Sequence, residues 1–140
     1  MKILFDTNVI LDVLLYREPF ADDASYLLSK VERSEIIGFL CATTITAIHY
    51  LITKSLSPKE AIQHIQALLS LFEVAPVNRL VLAKALNPKF TDFEDSVLHE
   101  AACHAGVEYI VTRDISGFKK STIPIYTPGE LINMLESLEK

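Results

Sequence analysis

Short apolar runs that alternate with helical segments constrain this chain most. Lys2–Asp6, Gly38–Ala42, Phe72–Val77, Tyr109–Thr112 and Ile123–Tyr126 each read as a strand. Consecutive apolar residues in short runs suit strands that are covered on both faces. Helical patterns fill the intervals: Val9–Leu15, Phe20–Arg33, Thr44–Lys54, a segment from Ser57 to about Leu71, one from Asn78 through Leu86, one from Thr91 to about Ala105, and one from Thr127 to about Leu138. Strands separated by helices pair in parallel through right-handed crossovers. The expected fold is α/β, a three-layer α/β/α sandwich with a central parallel sheet.

Local signals support these boundaries. Ser57 precedes Pro58 and Glu60, a helix-start pattern with serine as the cap and proline in the first turn. Pro19 likewise fits the first turn of the second helix. Asn87-Pro88 breaks the helix that Asn78 caps, and Gly106 ends the helix that starts near Asp92. The chain has 140 residues, enough for one domain with a real core, and we read residues 1–140 as a single domain.

Composition excludes several classes. No apolar run approaches the roughly 18–20 residues that span a bilayer. Met1-Lys2-Ile3-Leu4-Phe5 is cut short by Asp6, too early for a signal sequence. A cytoplasmic protein is expected. The two cysteines, Cys41 and Cys103, sit among apolar neighbours and read as free buried thiols. No Cys/His spacing matches a zinc site. The net charge of -5 argues against broad adhesion to nucleic acid. Contact with an anionic substrate would then need local cations such as Arg17, Lys54, Arg113, Lys119 and Lys120.

In parallel sheets ligands bind beyond the carboxyl ends of the strands. Asp6 follows the first strand and Asp114 follows the strand Tyr109–Thr112, so both belong at that edge. Asp92 and Asp95, three apart in the first turn of a helix, share one side of it. Carboxylates converging on one point repel each other unless a cation lies between them. Oxygen donors without thiolate or imidazole favour Mg²⁺ or Mn²⁺, and such ions support phosphodiester hydrolysis. Each acid also has a purely structural use. Asp6 or Asp92 can cap a helix, Glu94 can face its dipole, and Asp114 can serve a turn.

These residues resemble a known family. Phe5-Asp6-Thr7-Asn8-Val9-Ile10-Leu11-Asp12 is similar to the opening of a PIN domain, and Arg17-Glu18-Pro19-Phe20 to the segment that follows in one bacterial branch. Asp92-Phe93-Glu94-Asp95 and Ile110-Val111-Thr112-Arg113-Asp114 resemble the third and fourth acidic motifs. Thr127-Pro128-Gly129-Glu130-Leu131 resembles the closing segment. The resemblance implies a Mg²⁺- or Mn²⁺-dependent ribonuclease acting on RNA. It also implies kinship with toxins of toxin–antitoxin pairs, an antitoxin partner and a homodimer. It assigns Asp6, Asp95 and Asp114 as catalytic metal-binding acids, Asp92 as a further metal neighbour, and Asn8 and Thr112 as supporting residues.

One position departs from the pattern. The family's second acid, a glutamate, aligns with Ala47, and no Asp or Glu occurs from Gly38 to Lys59. Glu94 or Asp92 could supply that charge, and Thr44, Thr46 or His49 could hold a metal-bound water. The alternative is a weak or inactive module that binds RNA or a protein partner. A phosphoryl-transfer enzyme with Asp6 as nucleophile would want companion residues that this chain lacks.

Other polar residues have plainer expected roles. His49 is expected to be partly buried in its helix and His99 to be solvated. Asp12, Asp22 and Asp23 are expected to be exposed helix charges. Ile62, Ile65, Leu68, Leu69 and Phe72 form a stripe of helical spacing, for core or for a dimer face.

Overall fold

The computed structural model describes residues 1–86 and 90–139. The elements run β1 (Lys2–Phe5), α1 (Thr7–Leu14), α2 (Ala21–Glu32), β2 (Ile37–Cys41), α3 (Ala42–Ser55), α4 (Pro58–Leu71), β3 (Glu73–Ala75), α5 (Arg79–Ala85), α6 (Phe93–His104), β4 (Tyr109–Val111), a 3-10 turn (Ile115–Phe118), β5 (Ile125–Tyr126) and α7 (Pro128–Leu138). The expected break at Asn87-Pro88 lies outside the described residues.

The strands form one parallel sheet in the order β3-β2-β1-β4-β5. The central strand β1 pairs Ile3 with Gly38 on one side and Leu4 with Ile110 on the other. Its side chains alternate between faces, as the pleat requires. Ile3 and Phe5 enter a core with Ile10, Leu27, Ile48, Leu68 and Leu131, drawn from α1, α2, α3, α4 and α7. Leu4 enters the other core, with Val81, Leu98 and Ala101 from α5 and α6. The result is the three-layer α/β/α sandwich expected from the alternation of elements.

Most helix starts follow the residues that signal them. The Ser57 hydroxyl accepts from Glu60 N, and the Asn78 carboxamide accepts from Val81 N. Thr127 and Glu130 form a reciprocal capping box at α7. Gly106 follows α6 with a φ of 72°, the left-handed conformation that glycine adopts without penalty.

Some boundaries differ from the sequence reading. Phe72 closes α4 by donating its N–H to Leu68 O, so β3 begins one residue later. Ile123 stays out of β5 because the Ser121 hydroxyl binds both its N–H and its carbonyl. α2 begins after Pro19, with Phe20 at its cap position. In α4 the core takes Ala61 and Leu68, and the expected stripe is split: Ile62 and Leu69 are exposed. No helix among the described residues is long and apolar enough to cross a membrane.

Candidate active site

From β1 the chain proceeds to β2 and β3 on one side, then returns to β4 and β5 on the other. The reversal lies between β1 and β4, the switch point where open parallel sheets leave a crevice. Asp6 leaves β1 there as the cap of α1, and its Oδ1 accepts from Thr7 N at 2.7 Å. Its Oδ2 accepts from the Thr112 hydroxyl at 2.7 Å. Thr112 is wholly buried just past β4, and its Oγ1 accepts from Asp114 N at 3.0 Å and from Asn8 Nδ2 at 3.5 Å. Asn8 Oδ1 in turn accepts from Arg113 N at 3.4 Å. Thr112 and Asn8 thus join the ends of two neighbouring strands.

Asp92 caps α6 rather than standing in its first turn, and its Oδ1 accepts from Asp95 N at 3.1 Å. The structural use of this acid and its place beside Asp95 hold together. Asp114 Oδ1 accepts from the Ser116 hydroxyl at 2.6 Å. Gly117, in the 3-10 turn, lies against two of these acids. A Cβ there would stand 2.5 Å from Asp95 Oδ2 and 3.2 Å from Asp114 Oδ2.

Asp6, Asp92, Glu94, Asp95 and Asp114 all line one cleft of about 920 Å³. Burial and the neighbouring charges together raise the proton affinities of Asp95 and Asp6. Asp95 is pushed up to about 7, first by burial and then by the charges of Asp6, Asp92, Asp114 and Glu94. Burial likewise raises Asp6, against the opposing hydrogen bonds from Thr112 and Thr7, with Asp114 and Asp92 adding to the rise.

The donor set is all oxygen, which suits a hard divalent cation. Among the described residues no three such side chains stand at ligating spacing as they are. Among the described residues the Asp95 carboxylate makes no hydrogen bond, and Asp92 and Asp114 each use only Oδ1. These three acids therefore have oxygens to offer a cation without breaking a protein hydrogen bond. The donor chemistry fits the ion; the spacing would require these side chains to turn.

Thr44, Thr46 and Ala47 of α3 line the same cleft. Thr44 is buried and accepts from the Thr7 hydroxyl at 3.0 Å. His49 is exposed, not partly buried, and is absent from the cleft wall. Of the expected basic residues, Arg17 and Arg113 line the cleft, whereas Lys54, Lys119 and Lys120 do not. Lys54 lies over the Tyr50 ring instead.

Two further expectations are corrected. Asp12 is 0 % exposed. Its carboxylate accepts from Arg17 Nε at 2.9 Å, from Arg113 Nε at 2.7 Å and from Arg113 Nη2 at 3.2 Å. A partial signal was available: Val9, Ile10, Leu11, Val13 and Leu14 surround Asp12 in α1 and are apolar, and a charge set among apolar residues needs partners if the helix is buried. Asp22 and Asp23 are exposed as expected. His99 is 3 % exposed, not solvated. Its Nε2 accepts from Thr122 N at 3.1 Å, and its ring lies against Phe90. Burial lowers its affinity for a proton.

An open parallel sheet with carboxylates gathered at its switch point defines the class, an α/β protein with an acid-lined cleft. The chain belongs to the PIN domain family, whose model matches residues 2–116. Solved structures with the same fold include FitAcB from Neisseria gonorrhoeae, at 21 % identity and a TM-score of 0.68, covering 91 % of this chain and 98 % of that one. A toxin–antitoxin complex from Klebsiella pneumoniae matches at 19 % identity and a TM-score of 0.68, covering 90 % and 97 %. VapC20 from Mycobacterium tuberculosis, described as a toxin that cleaves the sarcin–ricin loop, matches at 11 % identity and a TM-score of 0.62, covering 77 % and 86 %. Identities this low speak to the fold alone. A comparison with curated protein sequences gives no match.

Proposed function

We propose that this protein is a metal-dependent endoribonuclease and the toxin of a toxin–antitoxin pair. The observation that carries this reading is the acidic cleft at the switch point, where burial and then the neighbouring carboxylates push Asp95 up to about 7. Asp6, Asp95 and Asp114 are the catalytic acids, and with Asp92 they hold Mg²⁺ or Mn²⁺. Such an ion, when bound, offsets the carboxylate charges, makes water a better nucleophile and stabilises the negative charge of the displaced phosphate oxygen.

The chain's own residues do the rest. Thr112 and the Thr7 amide fix both oxygens of Asp6. Asn8 holds Thr112 and the backbone of Arg113, so the ends of β1 and β4 cannot drift apart. Glu94 adds to the negative potential over Asp95. Water adds across one P–O bond and leaves a phosphate on one RNA end and a hydroxyl on the other.

Family membership supports the partners. An antitoxin is a separate chain, as in the Klebsiella complex. A homodimer fits the apolar side chains left exposed on α3, α4 and α5, among them Tyr50, Leu51, Ile62, Leu69, Leu80 and Leu82. A cytoplasmic location fits the two free thiols.

The test is cleavage of a labelled RNA mixture with Mn²⁺, with Mg²⁺ and with EDTA, using the wild type beside Asp95→Asn. Metal-dependent cutting that Asp95→Asn loses is the expected result; cutting that persists in EDTA or in the variant sinks the site. Ala47 on the cleft wall favours one second reading, a module that binds RNA or a partner without cutting. Under that reading the folded wild type is silent and Ala47→Glu gains metal-dependent activity.

A further inference from the structure

A carboxylate removed wholly from water destabilises a fold unless it is paired and hydrogen-bonded. Asp12 is such a group, and both of its partners are arginines of the cleft wall. A leucine at position 12 would extend the apolar face of α1 without this demand. The carboxylate does one thing a leucine cannot: it fixes two guanidinium groups at one edge of an otherwise acidic cleft.

Each arginine is held from more than one side. Arg113 presents Nε and Nη2 to the two oxygens of Asp12, and its Cζ lies 3.9 Å from the centre of the Phe20 ring. Arg17 gives Nε to Asp12 and Nη2 to the carbonyl of Asn8 at 3.2 Å. Among the described residues neither Nη1 has a partner. Their side chains remain 39 % and 28 % exposed for Arg17 and Arg113. Two cations on one anion leave a net positive charge facing the cleft, with N–H donors oriented and little rotamer freedom left to lose.

We infer that Arg17 and Arg113, fixed by Asp12, form a preorganised clamp for an RNA backbone phosphate next to the scissile one. The inference rests on the ribonuclease reading and adds its substrate contact. The acidic floor repels a polyanion, and the chain's net charge of -5 gives no general attraction. A clamp of two forked donors supplies attraction where the strand must lie, and guanidinium geometry matches a phosphate.

The test is equilibrium binding of a labelled single-stranded RNA to Asp95→Asn protein in Mg²⁺, across a salt series. On a single strand each phosphate contact contributes about 0.7 of a unit to the slope of log affinity against log salt. Adding Arg17→Ala is expected to weaken binding several-fold and to lower that slope by about 0.7 of a unit. Asp12 keeps its two bonds to Arg113 in this variant, so the fold persists, which a thermal melt verifies. Arg113→Lys retains charge but not the fork; affinity falls several-fold while the slope holds. Lys59→Ala, an exposed residue outside the cleft, is expected to change neither. A slope that responds equally to Arg17→Ala and Lys59→Ala, or an Arg113→Lys protein that binds like its parent, overturns the clamp. Wild-type cleavage is read separately. Binding with the expected slopes but no cutting removes the nuclease reading and leaves the clamp, and cutting with unresponsive slopes does the reverse.

Discussion

The carboxylate cluster predicts that Asp95→Asn makes the metal-free protein more stable. Asp95 holds its proton up to about pH 7 in the folded chain, against an ordinary value of 3.8. In the unfolded chain the carboxyl returns to water, the neighbouring charges disperse and the ordinary value returns. Between these two values the folded state binds more protons than the unfolded state, so stability falls as pH rises. Above about 7 the full penalty applies; below 3.8 it is gone. A gap of about 3 pKa units corresponds to roughly 4 kcal/mol. Asp95 is only partly buried, and screening by solvent reduces this to about 1–2 kcal/mol.

Asparagine keeps the size of the side chain and removes the charge, and among the described residues the Asp95 carboxylate makes no hydrogen bond that the change would break. The assay is urea unfolding of both proteins in EDTA at pH 8 and at pH 6. At pH 8 the variant is expected to be more stable by about 1–2 kcal/mol, and the difference is expected to shrink at pH 6. Because His99 is common to both proteins, its own titration cancels in the comparison. Saturating Mn²⁺ is expected to reverse the order, stabilising the wild type more than the variant. Equal stability in EDTA at pH 8, or a difference that does not change with pH, refutes the argument that burial and the neighbouring charges together penalise the ionised Asp95.

Other outcomes follow from the same contacts. Replacing both Arg17 and Arg113 with methionine leaves Asp12 buried and unpaired, and is expected to cost about 3–5 kcal/mol in urea unfolding. Asp12→Ala leaves two arginines that reach water, and is expected to cost less than that double variant in the same assay. Gly117→Ala places a methyl group against the Asp95 carboxylate; RNA cleavage is expected to drop at least tenfold while the thermal midpoint moves little, because the displaced atom ends a side chain rather than the backbone. His99→Leu removes the acceptor of the Thr122 amide, and is expected to cost about 1–3 kcal/mol by chemical denaturation.

The sheet was legible because its strands are short apolar runs broken by helical spacing, and because parallel connection follows from that order. Asp6 and Asp114 could be placed at one edge for the same reason: each follows a strand, whatever the side chains do. Boundaries that depend on a single hydroxyl, as at Ser121, left no mark of that kind. Asp12 was the larger miss. Its partner Arg113 lies 101 positions away, so no local spacing announces that pair, and the apolar residues around Asp12 are the one local hint that it is buried. His99 was obscured in the same way, since the amide it accepts and the ring it packs against come from outside its helix. Thr112, by contrast, was marked through resemblance, and its hydroxyl is the hub that links Asp6, Asn8 and Asp114.

The place of β1 in the sheet has a consequence for synthesis. It is the first strand made and the middle strand of the finished sheet. β2 can flank it early, but its other edge stays unpaired until Tyr109–Val111 emerges. A growing chain on the ribosome therefore carries Asp6 without the Thr112 hydroxyl that orients it and without Asp114 beside it. The cleft is complete only once β4 and the 3-10 turn have docked on β1. Until then the acids that β1 and β4 bring together belong to separate stretches of an unfinished fold.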